Sequence, residues 1–278
     1  MVRLTSLLLS GASLHLASAA ATPRRAPKFD KTKRDTIPDY AITYAPYSYL
    51  YSGESWWPSD VATHLEHVTP EVNYVAVEST VTLETLDELA SDVYLTSDDN
   101  VEDNPTWLLG IEPNSSGYTS APATIIVVDK TDYVDVFYFY FYSYNHGLTY
   151  VFHTRLATKL ALTLTSILGT EFGNHVGDWE HSMIRFVGGV PEYIYLSEHS
   201  GGSAYTYDAL PQTNSRPTTY IALGSHANYA TSGKQDYEGS ILALIGLYDT
   251  TDAGPYWDVT QNYRGLDLST IINHTRES

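Results

Sequence analysis

Between residues 174 and 181 the chain reads Asn-His-Val-Gly-Asp-Trp-Glu-His, which places four titratable side chains, His175, Asp178, Glu180 and His181, close together. Imidazole and carboxylate are the donor types that zinc or manganese takes. A carboxylate beside an imidazole is also the minimum for general acid–base catalysis. The spacing constrains both readings. Side chains on a strand alternate between faces, so Glu180 and Ser182 share one face while Trp179, His181, Met183 and Arg185 share the other. His175-x-x-Asp178-x-x-His181 therefore does not close around one ion by itself. A third reading is a polar network that ties down loop backbone groups. Gly177 lets the backbone turn tightly or approach a ligand.

A second cluster, Gly224-Ser225-His226-Ala227-Asn228-Tyr229, follows the short strand pattern Tyr220–Leu223. A Ser–His pair at a strand end invites a hydrolase reading. Adjacent residues rarely align as nucleophile and base, and no Gly-x-Ser-x-Gly elbow surrounds Ser225. His226 serves better as a partner of the first cluster, which makes His175, Asp178, Glu180, His181 and His226 the candidate catalytic set. No cofactor is named by these residues, although a divalent metal suits their donor types. Trp56, Trp57 and Trp179 offer planes for stacking on a sugar or another small-molecule ligand, a role that competes with hydrophobic anchoring. Asn114-Ser115-Ser116 and Asn273-His274-Thr275 fit the N-glycosylation pattern.

The elements that must position these groups are mostly strands. Thr124–Val128 is a β-branched run, Asp129–Asp132 a turn, and Tyr133–Tyr144 a long strand with aromatics on both faces, as a central strand covered on both sides requires. Trp179–Val187 and Val190–Ser197 flank Gly188-Gly189, a hairpin signal. Tyr40–Tyr51 reads as an extended, aromatic-rich segment. Pro58-Ser59-Asp60 opens a short helix through His67 with Ser59 or Asp60 as N-cap. Leu83–Ala90 is a second short helical pattern, and residues 96–122 read as a long surface loop. The fold class expected is mainly β, an antiparallel β-sandwich with a few short helices. Leu148–Gly169, with Leu156, Leu160, Leu164 and Ile167 at helical spacing, does not fit that pattern. It is either an amphipathic helix between strands or an insertion foreign to the fold.

Several stretches together resemble the vacuolar protein sorting-associated protein 62 family: Tyr44-Ala45-Pro46, Pro58-Ser59-Asp60, Gly173–His181 with Arg185-Phe186, Arg216-Pro217, and Ala222–Tyr229. The resemblance spans most of residues 40–260 and implies a protein linked, by the family's name, with delivery to the vacuole. It supplies no catalytic residues. Fungal members commonly carry a secretory signal. The chain departs from the family pattern at about Leu148 to Ser166, which reads as an insertion, and at Leu266–Ser278, which reads as an alternative ending.

The address is legible at the N-terminus. Arg3, the apolar stretch Leu4–Leu16 and Ala17-Ser18-Ala19 make a signal peptide over residues 1–20. Residues 21–34 are polar and basic and end in Lys33-Arg34, so they read as a propeptide, with a single β-rich domain over 35–278. The full chain has 15 basic and 33 acidic residues; residues 1–34 hold seven of the former and one of the latter, which leaves 8 basic and 32 acidic, a net charge of −24. Such a surface repels nucleic acid and anionic lipid. There are no cysteines, which excludes thiol catalysis and Cys-ligated zinc. No stretch after the signal is long and apolar enough for a transmembrane segment. The sequence says nothing of oligomeric state. It leaves three functions open for a secreted or vacuolar protein: a hydrolase-like enzyme using the His/Asp/Glu set, a carbohydrate- or surface-binding β-sandwich, and a sorting or structural protein without a small-molecule site.

Overall fold

The computed structural model describes residues 37–77, 80–149, 171–236 and 248–268. The signal peptide and propeptide, most of the 148–166 stretch, and Asn273 lie outside the described residues.

Along the chain, helix α1 (Asp39–Thr43) precedes β1 (Tyr47–Tyr49), and helix α2 (Val61–Leu65) precedes β2 (Val68–Val72), β3 (Val75–Ala76) and β4 (Tyr94–Ser97). The long strands β5 (Ala123–Asp129) and β6 (Val134–Asn145) follow. A short ladder of β7 (Leu148–Thr149) with β8 (Glu171–Phe172) leads to β9 (His175–Val187), β10 (Val190–Glu198) and β11 (Gly201–Thr206). The remaining strands are short: β12 (Gln212–Thr213), β13 (Arg216–Ile221), β14 (Asn228–Tyr229), β15 (Gly233–Asp236), β16 (Tyr248–Thr251), β17 (Tyr256–Trp257) and β18 (Tyr263–Asp267).

Two main sheets result. The larger runs β11-β10-β9-β6-β5-β18, and the smaller runs β12-β13-β1-β17 with β14 also on β13. Pairing is antiparallel except at β1–β13 and β5–β18, which are parallel. Between the sheets lies one core, in which Ile125, Val136, Tyr138, Tyr140, Tyr142, Ile184, Phe186, Ile194 and Leu196 from the larger sheet meet Leu50, Ile221 and Trp257 from the smaller side. This is the mainly-β sandwich expected from the alternation of apolar residues. Strand β6 is central, as its two aromatic faces require. Tyr138, Tyr140 and Tyr142 point into the core, while Phe137 and Phe139 are half-buried on the other face. Gly188 and Gly189, at φ 58° and 80°, form the β9–β10 hairpin turn, whose two central residues both need left-handed backbone.

The structure corrects several local expectations. Residues 39–43 are helical rather than extended: Pro38 precedes the turn, Thr43 Oγ1 bonds back to the Asp39 carbonyl, and Ala41 is fully buried with its carbonyl accepting from Tyr138 Oη. Tertiary packing of α1 on the core overrides the aromatic-rich local pattern. The 83–90 helix shrinks to a single 3₁₀ turn at Leu86–Glu88, although Leu83, Leu86 and Leu89 still pack on Leu65, Val68 and Val81. The 96–122 stretch carries 3₁₀ turns at Val101–Asp103 and Thr106–Leu109, and Leu108 is fully buried. Helix α2 starts where expected, with the Asp60 carboxylate capping the Ala62 N–H at 3.0 Å. At the far end, Leu266 and Asp267 belong to β18 and pair with Ile126 and Val127, so that part of the ending is built into the sheet.

Candidate functional site

His226 is the centre of the buried polar groups. It sits in a tight turn with φ at +57°, preceded by Gly224 at φ +67°. A Cβ at Gly224 would lie 2.3 Å from the His146 carbonyl oxygen, so both backbone sign and space demand glycine there. The turn carries the His226 imidazole into the sandwich, where it is fully buried and stacks on Tyr142 with ring centroids 3.6 Å apart and planes 1° from parallel.

Both imidazole nitrogens are engaged. Nδ1 lies 3.0 Å from Asp178 Oδ2, and Nε2 lies 3.0 Å from the Trp56 carbonyl oxygen and 4.0 Å from Glu54 Oε2. A carbonyl only accepts, so Nε2 carries a proton; an ionised Asp178 also only accepts, so the Nδ1 contact holds a second proton between the pair. Glu54 is itself engaged, accepting N–H bonds from Ser55, Trp56 and Gly224 at 2.8, 2.9 and 2.8 Å. Neither nitrogen of His226 is therefore presented to a ligand.

Strand β9 contributes the rest. Asn145 and Asn174 fix its start by bonding the backbone of Gly173 and Gly147, and Gly177 turns at φ +74°. His175 is half exposed; its Nδ1 lies 3.1 Å from the Gly177 carbonyl and its Nε2 3.9 Å from Asp178 Oδ1. Asp178 is thus shared between an exposed imidazole and a buried one. Two residues on, Glu180 faces the same interior and accepts from the Ser197 hydroxyl. Burial pushes the Glu180 carboxyl up to about 9 against the opposing Ser197 hydrogen bond, with nearby Asp178, Asp249 and Glu198 adding to the rise; it is a neutral acid at physiological pH. Ser182 behind it bonds Tyr140 Oη at 2.7 Å.

His181 is turned to the opposite face of the sheet, beside Phe139 at 5.0 Å and Tyr195 at 5.6 Å between ring centroids. Burial lowers its pKa. Trp179 shares that face, stands 49% exposed, and meets Phe141 at 4.9 Å and Phe139 at 6.1 Å. Trp56 and Trp57 do not join it: Trp56 stacks on His146 at 4.1 Å, and Trp57 packs against the sandwich core. So the structure unites Asp178 with His226 and, less closely, His175. It places Glu180 beside them behind Ser197 and separates His181.

Participants absent from the sequence reading are Glu54, Tyr142, Ser197, Asp249 and Asn228 in a bonding role. Asn228 Nδ2 spans the His226 carbonyl and Ser197 Oγ at 3.2 and 3.5 Å. Buried Asp249 gathers Ser225, Tyr229 and His199 at 2.9, 2.7 and 2.7 Å. Asn228 and Ser225 lay within the quoted 224–229 motif; Glu54, far away in sequence, carried no signal. Trp56 Nε1, Tyr142 Oη and Asn228 Oδ1 are buried without a hydrogen-bond partner among the described residues. Also among the described residues, no group of three or more His, Asp or Glu side chains is arranged to hold a metal ion, since Glu180 is tied to Ser197 and His226 to its two acceptors. No described helix is long and apolar enough to cross a membrane.

With a two-sheet β fold and this 174–229 cluster in place, the comparisons with known proteins assign the class. The model of the vacuolar protein sorting-associated protein 62 family matches residues 131–268, and the chain belongs to that family. It is 35% identical to TDA6 of Saccharomyces cerevisiae over 266 residues, covering 82% of this chain and 53% of that protein. To vacuolar protein sorting-associated protein 62 of the same yeast it is 34% identical over 270 residues, covering 83% and 53%. The chain thus spans about half the length of these relatives. Among solved structures, it is similar to necrosis and ethylene inducing protein 2 from the causal agent of cocoa's witches broom disease, with TM-score 0.34, 6% identity, and 84% and 74% of the two chains covered. It is also similar to NLPPya in complex with glucosamine, with TM-score 0.35, 8% identity, and 82% and 71% covered. Likeness that loose transfers no site and no ligand.

Proposed function

We propose that this chain is a saccharide-binding β-sandwich of the secretory and vacuolar route, whose ligand stacks on the outer face of the larger sheet at Trp179. The observation that carries the reading is the 49% exposure of Trp179 within cross-strand rows of aromatic and other weakly polar residues: Phe141 opposite Trp179, Phe139 opposite His181, Phe137 opposite Met183, and Tyr195 beyond Met183. Aromatic planes bind the C–H faces of a pyranose, and the His181 imidazole beside them, whose pKa burial lowers, offers ring nitrogens to hydroxyl groups. The excess of acidic residues favours a neutral sugar over an anionic one. The signal-like leader and the Lys33-Arg34 pair support the address. Glycan-array screening followed by calorimetry tests the reading: Trp179→Ala weakens binding of the best neutral glycan about tenfold or more, the equivalent of one stacking contact. Equal affinity in that variant, or no neutral glycan bound at all, rejects it.

A second reading keeps hydrolytic chemistry at the strand start. Its support is the His175 ring, pinned through Nδ1 to the Gly177 carbonyl so that Nε2 faces Asp178 Oδ1, an imidazole oriented by backbone beside a carboxylate. Turnover on a panel of glycosidic and ester substrates that is abolished in both His175→Ala and Asp178→Asn would favour it; turnover unchanged in both eliminates this site.

A further inference from the structure

The turn around Asn114 runs beside the β17 edge of the smaller sheet. Asn114 N–H donates to the Tyr118 carbonyl and Gly117 N–H to the Asn114 carbonyl, both at 2.8 Å. The Asn114 side-chain oxygen accepts three bonds: from Ser116 N–H at 2.9 Å, Ser116 Oγ at 2.7 Å and Tyr118 N–H at 3.2 Å. This Asx-type turn fixes the carboxamide by its oxygen alone. The residue is exposed, and Nδ2, the nitrogen that glycosylation modifies, takes part in none of these bonds.

The turn is also held against its neighbour. Gln261 Nε2 donates to the Ser116 carbonyl at 2.6 Å, and Asp258 N–H donates to the Gly117 carbonyl at 2.8 Å. Gly117, at φ +82°, lies so close to Tyr256 that a Cβ would fall 2.5 Å from the ring. Tyr256 belongs to β17, which among the described residues is the end strand of the smaller sheet and has β1 as its strand partner. A sheet edge is a template for pairing with another chain; here the turn covers the edge at Asp258, Pro255 flanks it, and the two residues of β17 themselves carry no charge.

We infer that Asn114 carries an N-linked glycan, and that the glycan shields the β17 edge of the sandwich. The inference rests on the secretory address proposed above, because the donor, an oligosaccharide on a polyprenyl diphosphate, is met only there. In the transfer, Asn114 Nδ2 bonds the anomeric carbon of the first sugar, the diphosphate leaves with the electron pair of the broken C–O bond, and the amide gives up one proton. The sequon supplies the acceptor, and the turn keeps that nitrogen at the surface after folding.

The test uses the full chain expressed in a eukaryotic secreting host and recovered from the medium. Amide-cleaving deglycosylation is expected to convert Asn114 to Asp in the peptide map. Asn114→Gln and Ser116→Ala are expected to lack that conversion, while Ser116→Thr, which keeps the hydroxyl, retains it. Asn114→Gln, which also gives up the three bonds to the Asn114 oxygen, is further expected to lose soluble monomer several-fold faster at high concentration, as is the parent after enzymatic removal of the glycan, where the Asn114→Asp conversion keeps an accepting oxygen. Secreted chain with unmodified Asn114 overturns the inference alone. Chain that never enters the secretory route overturns the address and the inference together. A glycosylated parent whose Asn114→Gln variant stays equally monomeric overturns the shielding role.

Discussion

Asp178 and Trp179 are neighbours in sequence and occupy opposite environments. Asp178 is buried, with one oxygen on the His226 imidazole and the other facing His175. Trp179 stands half in solvent among the rings of Phe139 and Phe141. The period of two along β9 sorts the whole segment in this way: Asp178, Glu180 and Ser182 go inward, and Trp179, His181 and Met183 go outward. The contrast teaches that titratable groups gathered in sequence need not gather around a ligand. Here the inward set is consumed in holding the two sheets and the 222–229 turn together, and the outward set is what a partner molecule would meet.

The sharpest way to break this contrast is at His226. His226→Ala leaves Asp178 buried with only His175, 3.9 Å away, beside it and is expected to destabilise the fold by about 3–5 kcal/mol, measured by denaturant unfolding. A loss under about 1 kcal/mol would show the inward network to be dispensable and free for chemistry.

Glu180 gives the next largest effect. Its folded pKa of about 9 lies above the ordinary 4.5, so between those limits the folded state holds a proton that the unfolded state releases, and stability falls as pH rises through the window. His64 works in the opposite sense. Burial, aided by His67, lowers its pKa from 6.5 to about 4, so the fold loses stability as pH falls through that interval. The two oppose each other below 6.5, which makes pH 6.5–9 the clean range for Glu180. There the decline is expected to amount to a few kcal/mol and to flatten in Glu180→Gln; a slope unchanged in that variant assigns the effect elsewhere. The smallest effect on stability belongs to the outward face. Trp179→Ala should alter unfolding free energy by no more than about 1 kcal/mol while weakening the proposed saccharide binding, and a larger loss would make the ring a structural support.

Much of the sandwich was legible in the residues. The β5, β6, β9 and β10 strands announce themselves by β-branched and aromatic alternation, by the Asp129–Asp132 turn and by Gly188-Gly189, because these signals are local. What was not legible depends on contacts distant in sequence. The 39–43 helix is stabilised by docking against Tyr138, and nothing in its own composition competes with the extended reading. The candidate cluster divided along the same line. Strand alternation correctly separated Glu180 from His181. The Asp178–His226 pair joins a strand to a turn 48 residues away, and Glu54 reaches Gly224 across 170; no periodicity reports such meetings.

The parallel pairing of β18 with β5 bears on how the chain is made. Tyr263 lies opposite Ala123, and β1 waits for β13 and β17, so neither sheet acquires its full width until nearly everything described has left the ribosome. Long-range strand pairing of this kind is slow to form. A growing chain with both sheets incomplete stays unfolded until its synthesis is nearly over. The same delay leaves the inner faces of β6 and β9 uncovered by the smaller sheet for some time, and exposed aromatic surface of that kind is prone to aggregate until the second sheet closes over it.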